Sequence, residues 1–456
     1  MKKIRNYIGL VLMGTIVLTS CNDYLNIPPQ GEDLSEVSLS HPDSFERVLM
    51  GIYDVAANSF NGRVQFFGEL LGPNMARPNK NDDLTEVFIR RTNFFNGTIN
   101  SWFTDMNRIV YRANFMADYY EGVDFEAGQL ERIKAEADFL KALTLFNQLQ
   151  LFAQPYGYTS DNSHLGIAIR ETATADPVAR RTVKECYDYI LGLLEGALPN
   201  LPDNGEAQYA GKNACRALLA KMYMQMSNYT KAAELASEII ESGEYSLGTN
   251  VNRFGSSLNE EVIFGFVSTG SVDNRGSSFI DNYRQDSKQP TLSFSQEVYD
   301  MVNDTNDRRA DLFTVQNAGT ANQVYVTTKH DEDFQSVPIF HLTDIMLLRA
   351  ECYALLSSNL DKAIADVNAV KARAYKSDVS LSSGASATEV LTEARKERRI
   401  EMLGEGDWLF QLKRRGAEGE NLTIRDADWN CPGMVLQFPV SERSQIFEMN
   451  PEGGCN

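Results

Sequence analysis

The stretch KNACRALLAKMYMQMSNYTKAAELASEIIE, residues 212–241, breaks at Ser227-Asn228-Tyr229 into two halves, each with helical periodicity. Leu219, Ala220 and Tyr223 precede the break, and Ala232 follows it. Small residues at a contact let two helices approach closely, and a tyrosine beside them fills the groove. The pattern predicts an antiparallel helical hairpin.

The relative spacing of those four residues is that of the small and aromatic positions of a tetratricopeptide hairpin, although any antiparallel pair with alanine at its contact shares it. A looser copy occupies 344–374, where Ala350 and Tyr353 match but Ala363 arrives one residue late. About 130 residues separate the copies, so they form no tandem array and are expected inside a larger fold. Met106, Ile109, Val110, Ala113 and Ala117 mark one face of a helix over 105–120. Further helices are predicted over 43–57, 130–152, 182–198 and 212–226. Residues 244–340 are rich in Gly, Ser, Asn, Asp and aromatics, with short apolar runs at 262–267 and 323–326, which predicts loops and a few short strands.

The expected fold is mostly α: a tetratricopeptide-like helical hairpin scaffold with an irregular inserted lobe containing a few short strands. The expected divisions are a signal peptide over 1–20, a lipidated tether over 21–42, an N-terminal helical scaffold over 43–243, the lobe over 244–340, and a C-terminal scaffold with an irregular tail over 341–456. Binding surfaces usually lie on irregular loops that a rigid scaffold presents.

The leader carries Lys2, Lys3 and Arg5 ahead of an apolar run from Tyr7 to Leu18, too short for the ~20 residues of a membrane span. Leu18-Thr19-Ser20-Cys21 then resembles a lipobox, so Cys21 is expected to be acylated and to become the mature N-terminus. The whole chain of 456 residues has a net charge of −19, with 43 Lys plus Arg against 62 Asp plus Glu. A chain this acidic repels phosphate backbones, which excludes nucleic acid as a partner. It would also be held off an anionic membrane surface, so the lipid is expected to anchor it at a distance. No CxxC pair is present; Cys186, Cys215 and Cys352 fall in apolar helical segments and read as buried, while Cys431 and Cys455 lie in a loop-rich tail where a disulfide is expected.

Several segments together resemble the SusD/RagB family of Bacteroidetes nutrient-binding lipoproteins. Cys21-Asn22-Asp23-Tyr24-Leu25 is similar to its mature N-terminus, and the stretch from Trp102 to Asn114 to its tryptophan-led helix. Glu136-Ala137-Asp138-Phe139-Leu140-Lys141-Ala142, Asn306-Asp307-Arg308-Arg309 and Glu397-Arg398-Arg399-Ile400-Glu401-Met402-Leu403-Gly404-Glu405-Gly406 resemble three further motifs in matching order. Phe438-Pro439-Val440-Ser441 and Asn450-Pro451 resemble its ending. Asp407-Trp408 stands where a basic-aromatic pair is usual, and Gln411 where Asp is common. The resemblance implies a lipid-anchored outer-membrane protein facing the cell exterior. Such a protein captures an oligosaccharide or peptide without catalysis and delivers it to a SusC-like TonB-dependent transporter.

The four histidines, His41, His164, His330 and His341, form no HExxH and no i, i+4 pair, so no metal site is expected, and no cofactor motif is present. Gly404-Glu405-Gly406 lacks a third glycine and sits among helices, which argues against a nucleotide loop. Asp82-Asp83 and Asp331-Glu332-Asp333 read as solvated faces, with calcium ligation the less favoured alternative. Glu393, Glu397 and Glu401 stack on one helical face and read as a structural ion-pair network, with Arg398, Arg399 or Arg349 as partners. The candidate ligand contacts are Arg77 and Asn79 in one loop, Tyr283 and Arg284 in the lobe, and Trp102, for which core packing and a surface platform both stand. Trp408 reads as core and Trp429 as packing. A surface hydrolase and a purely structural tetratricopeptide scaffold are the alternative functions.

Overall fold

The computed structural model describes residues 39–203, 205–284 and 289–455. The leader, Cys21 and most of the tether lie outside the described residues. The N-terminal scaffold holds α1 (Pro42–Ser59), α2 (Arg63–Leu71), α3 (Asp82–Phe88), α4 (Gly97–Ala117), α5 (Gln129–Phe152), α6 (Val183–Ala197), α7 (Lys212–Gln225) and α8 (Tyr229–Glu241), with β1 (Leu165–Ala168) and β2 (Arg180–Thr182) paired between α5 and α6. The lobe contributes β3 (Val262–Phe266), α9 (Ser277–Tyr283), α10 (Gln296–Val302), β4 (Phe313–Gln316), β5 (Val324–Thr327) and β6 (Val337–His341). The C-terminal scaffold is α11 (Leu342–Leu355), α12 (Leu360–Ala374), α13 (Ala387–Glu401) and α14 (Asp407–Ala417), followed by the short β7 (Thr423–Ile424) and β8 (Ala427–Asp428).

Both sequence-derived hairpins are present. In the first, Ala214, Ala217, Ala220, Ala232, Ala233 and Ala236 are all buried. Ser227 takes a left-handed backbone (φ 57°), and the Asn228 side chain caps α8 by accepting from Lys231 N. The late arrival of Ala363 has a simple cause: residues 226–228 join the first pair, whereas residues 356–359 join the second, one residue more. The two hairpins, distant in sequence, nevertheless touch, because α8 packs on α11. The chain leaves the scaffold after α8 and returns through β6. The antiparallel β3–β6 pair sutures the two ends of the lobe and delivers the chain directly into α11. The stack α5–α6, α7–α8, α11–α12 is thus continuous in space though interrupted in sequence.

The helix predicted over 105–120 starts earlier, at Gly97, because the Asn96 side chain accepts from Ile99 N and caps it. The lobe's two short helices, α9 and α10, were not legible, since seven residues carry too little period to stand out. Gly404-Glu405-Gly406 is a packing device rather than a ligand loop. A Cβ at Gly68 would lie 2.5 Å from the Gly406 carbonyl oxygen, and one at Gly406 (φ 77°) would lie 2.6 Å from that of Gln65. Only glycine lets α2 and this turn meet backbone to backbone.

The acidic face of α13 is a buried ion-pair network, but its partners differ from those expected. Arg309 reaches Glu397 at 2.8 Å and Glu401 at 3.0 Å; Arg253 and Arg373 each reach Glu401 at 2.7 Å. Glu393 pairs with Lys371, Arg349 with Asp366, and Arg399 with Glu297. Arg398 instead bridges Asp344 (2.6 Å) and Asp407 (2.7 Å), and Gln411 donates to Asp407. The acid at 407 and the amide at 411 therefore complete one cluster. Since Arg253 and Arg309 belong to the lobe, Arg373 to α12 and Glu401 to α13, the network ties lobe to scaffold. Burial would raise the Glu401 carboxyl, but Arg373, Arg309 and Arg253 bring it down to about 2.

Cys186, Cys215 and Cys352 are buried free thiols, and Cys431 and Cys455 form a disulfide across 24 residues. No helix among the described residues is long and apolar enough to cross a membrane.

Candidate functional site

Four of the five candidate ligand residues lie in one neighbourhood, built on an irregular sheet. β4 and β5 form an antiparallel hairpin, Phe294 pairs with Tyr325 on β5, and Met75 pairs with Phe294 on its other side. Ala76 N donates to Ser293 O and Asn79 N to Thr291 O, both at 2.9 Å, which extends the ladder into the loop after α2. Arg77 is exposed on that loop. Asn79 is half-buried and spends its side-chain N–H on Gln289 O at 3.3 Å, so it shapes the loop as well as bordering the surface. Arg284 is half-buried and faces Asp333 at 3.4 Å.

Tyr283 is corrected from contact to core. It is 1% exposed and sits in a ring cluster with Phe279, Phe294 and His330. His330 itself is pressed by burial, and by Lys329 beside it, down to about 3; it is a neutral ring stacked on Phe279 at 4.4 Å. The reason is local: α9 puts Phe279 and Tyr283 at i, i+4, on one inward face. Trp102 is likewise corrected. It is 0% exposed, stacked on Phe152 at 6.0 Å and edge-on to Phe67 at 5.5 Å, far inside the helical core. Trp408 is half-buried, with Arg399 and Arg415 over its ring, and Trp429 is half-buried beside Tyr158.

The sequence reading missed the aromatic pair that the sheet does present. Tyr299 on α10 and Tyr325 on β5 are both half-buried and stack at 4.8 Å with 25° between their planes. Gln323 Nε2 donates to Tyr325 Oη at 2.8 Å and orients that ring. The signal was present: in Val324-Tyr325-Val326 the strand period sends Tyr325 to the face opposite its neighbours, and Val326 is 1% exposed. Two strand spacings separate the Tyr325 and Met75 backbones, about 10 Å. Arg77 and the tyrosine pair therefore lie within the span of a short oligomer rather than a single ring. The arrangement offers stacking rings, an amide and a guanidinium, and among the described residues no cluster of three or more His, Cys, Asp or Glu side chains is placed to hold a metal.

Beneath this surface lies Glu69, 2% exposed, whose Oε1 accepts from Gly404 N and Gly406 N and whose Oε2 accepts from Asn74. Burial dominates over those three hydrogen bonds and raises its carboxyl to about 7. The folded state therefore holds this proton more tightly than the unfolded chain does. The group's contribution to stability is full below about pH 4.5 and falls as pH rises to about 7, by on the order of 3 kcal/mol. Glu69→Gln is expected to abolish that decline. Asn74 Oδ1 has no partner, so a flip of its amide would accept the new N–H. Denaturant midpoints of both proteins at pH 4.5 and 7.5 check this; equal pH slopes for the two would refute it.

A model of the SusD family matches residues 261–435, and a model described as starch-binding associating with outer membrane matches residues 23–224. SusD-like protein P25 of Formosa agariphila is 23% identical over an alignment of 282 residues that covers 58% of this chain and 51% of that protein. The chain spans about half the length of the curated relatives it matches. A SusD superfamily structure from Bacteroides thetaiotaomicron superposes with a TM-score of 0.78 at 20% identity, covering 90% of this chain and 100% of that one. The structure of a laminarin-binding SusD-like protein gives a TM-score of 0.71 at 19% identity, over 90% and 99% of the two chains.

Proposed function

The chain belongs to the SusD/RagB family, and on that footing we propose that it is a non-catalytic glycan-capture protein of the outer membrane. One observation carries the reading: Tyr299 and Tyr325, stacked and half-exposed beside hydrogen-bonding groups, on the edge that also holds Arg77 and Asn79. The apolar face of a pyranose stacks on such rings while its hydroxyls meet amide and guanidinium groups. The starch-binding description of the matching family and the laminarin-binding relative support a glycan over a peptide. In this proposal acylated Cys21 tethers the protein to the membrane, facing the exterior, and the captured oligosaccharide passes to a SusC-like TonB-dependent transporter.

Titration of the chain with α-1,4- and β-1,3-gluco-oligosaccharides, and with a mixed peptide pool, tests the capture step. Tyr325→Ala is expected to weaken glycan binding about tenfold, since an aromatic stacking contact contributes about 0.5–1.5 kcal/mol beyond its buried area. Binding of peptides alone would sink the glycan assignment, and an unchanged affinity in Tyr325→Ala would sink the site. For the handover, detergent extraction of the full-length protein is expected to bring a large TonB-dependent barrel with it.

A further inference from the structure

A second cleft lies on the helical side of the lobe. Met50, Tyr53, Asp54 and Ala57 follow one another at i, i+3, i+4 and i+7, so α1 presents them as a single face. Gln208 and Tyr209 come from the loop before α7, and Phe266, Thr269, Asp273 and Arg275 from the chain leaving β3. The cleft they line is open to solvent and holds about 260 Å³. By contrast the cavity between α5, α7 and α14 holds about 90 Å³, below the ~150 Å³ that takes one benzene ring. Of these two, the outer cleft is the one with room for a six-membered ring.

Its walls are built and held. Tyr53 Oη donates to Glu136 at 2.7 Å and accepts from Ala210 N at 2.8 Å, while Gly265 N donates to Ala207 O. The backbone on either side of Tyr209 is therefore pinned, and its ring stands edge-on to Tyr53 at 5.5 Å, 40% exposed. The same cleft holds a polar chain: Asp54 to Arg275 at 2.8 Å, Arg275 to Asp273 at 2.5 Å, and Thr269 Oγ1 donating to Asp273 at 2.7 Å. Met50 adds exposed apolar surface at 38%. An exposed aromatic ring sharing a cleft with carboxylate, guanidinium and hydroxyl groups suits a sugar, whose ring has an apolar face and an equatorial fringe of hydroxyls. Two carboxylates against one guanidinium leave a net negative charge, which disfavours uronate or sulfated units.

We propose that this cleft is a second carbohydrate subsite, taking one uncharged pyranose unit between Tyr209 and the Asp54–Arg275–Asp273 wall. The inference rests on the glycan reading above but on none of the same residues. Calorimetric titration of the full chain with α-1,4- and β-1,3-glucohexaose tests it, using Tyr209→Ala, the shape-preserving Asp54→Asn, and Tyr325→Ala. The expected result is two sites in the parent, with Tyr209→Ala and Asp54→Asn each weakening one by about tenfold or more and Tyr325→Ala weakening the other. A single site lost in Tyr325→Ala and untouched by both cleft variants would overturn the subsite and leave the first site standing. A site lost only in the cleft variants would keep the subsite and remove the first. No binding of either hexaose in the parent would overturn both.

Discussion

Glu401→Ala is expected to yield little or no stably folded protein. Three guanidiniums, from Arg253, Arg309 and Arg373, converge on this one carboxylate at 2.7–3.0 Å, and all four side chains are no more than 4% exposed. Removing the anion leaves buried cations short of a partner, and breaking even one such pair costs about 3–5 kcal/mol. That is a large part of the ~5–15 kcal/mol by which domains are stable. Glu401→Gln separates charge from shape, and because charge is what the arginines require, its loss of denaturant stability is expected to approach that of the alanine variant. Glu297→Ala is the control: its side chain is 75% exposed, and loss of its pair with Arg399 should change stability by under about 1 kcal/mol. A Glu401→Gln protein as stable as the parent would refute the electrostatic account. The same carboxyl has an acid signature. With its folded value near 2, its stabilisation is full above about pH 4.5 and is lost as pH falls toward 2, opposite in sense to Glu69.

Trp102→Ala is expected to destabilise by about 3–5 kcal/mol, the range for deleting a large aromatic from a packed core. The ring is closed in by Phe67 and Phe152, and neighbouring helices cannot fully collapse onto the void. Trp102→Phe should cost less than about 1.5 kcal/mol, because it keeps most ring contacts and removes an indole N–H that has no hydrogen-bond partner. Whatever fraction of either variant folds should bind oligosaccharide with the parent's affinity. A folded Trp102→Phe protein with weakened glycan binding would return this residue to the ligand surface.

The helical architecture was legible because its causes are local. Alanine and tyrosine spacing marked both hairpins, left-handed Ser227 and Asn359 turn them, and composition alone set the lobe apart from the scaffold. The cysteine pair in the tail was legible for a similar reason, since loop texture is a short-range property.

What the linear order did not contain is which distant segment each residue meets. Tyr283 read as a surface candidate and Trp102 stood between core and platform, yet packing from other elements closes over both, while Tyr325 stays accessible in a run that looked merely apolar. Glu401 draws its cations from positions 253, 309 and 373, not from the adjacent arginines, because Asp344 and Asp407 take Arg398 while the helix turns Arg399 to the opposite face. The amino-acid sequence by itself determined the helices, their turns and the insertion between the two hairpins. Tertiary structure decided the stacking of α8 on α11, the choice of ion partners and the exposure of each ring. Periodicity repeats within a few residues, whereas burial and charge pairing depend on whatever the fold brings alongside from far away.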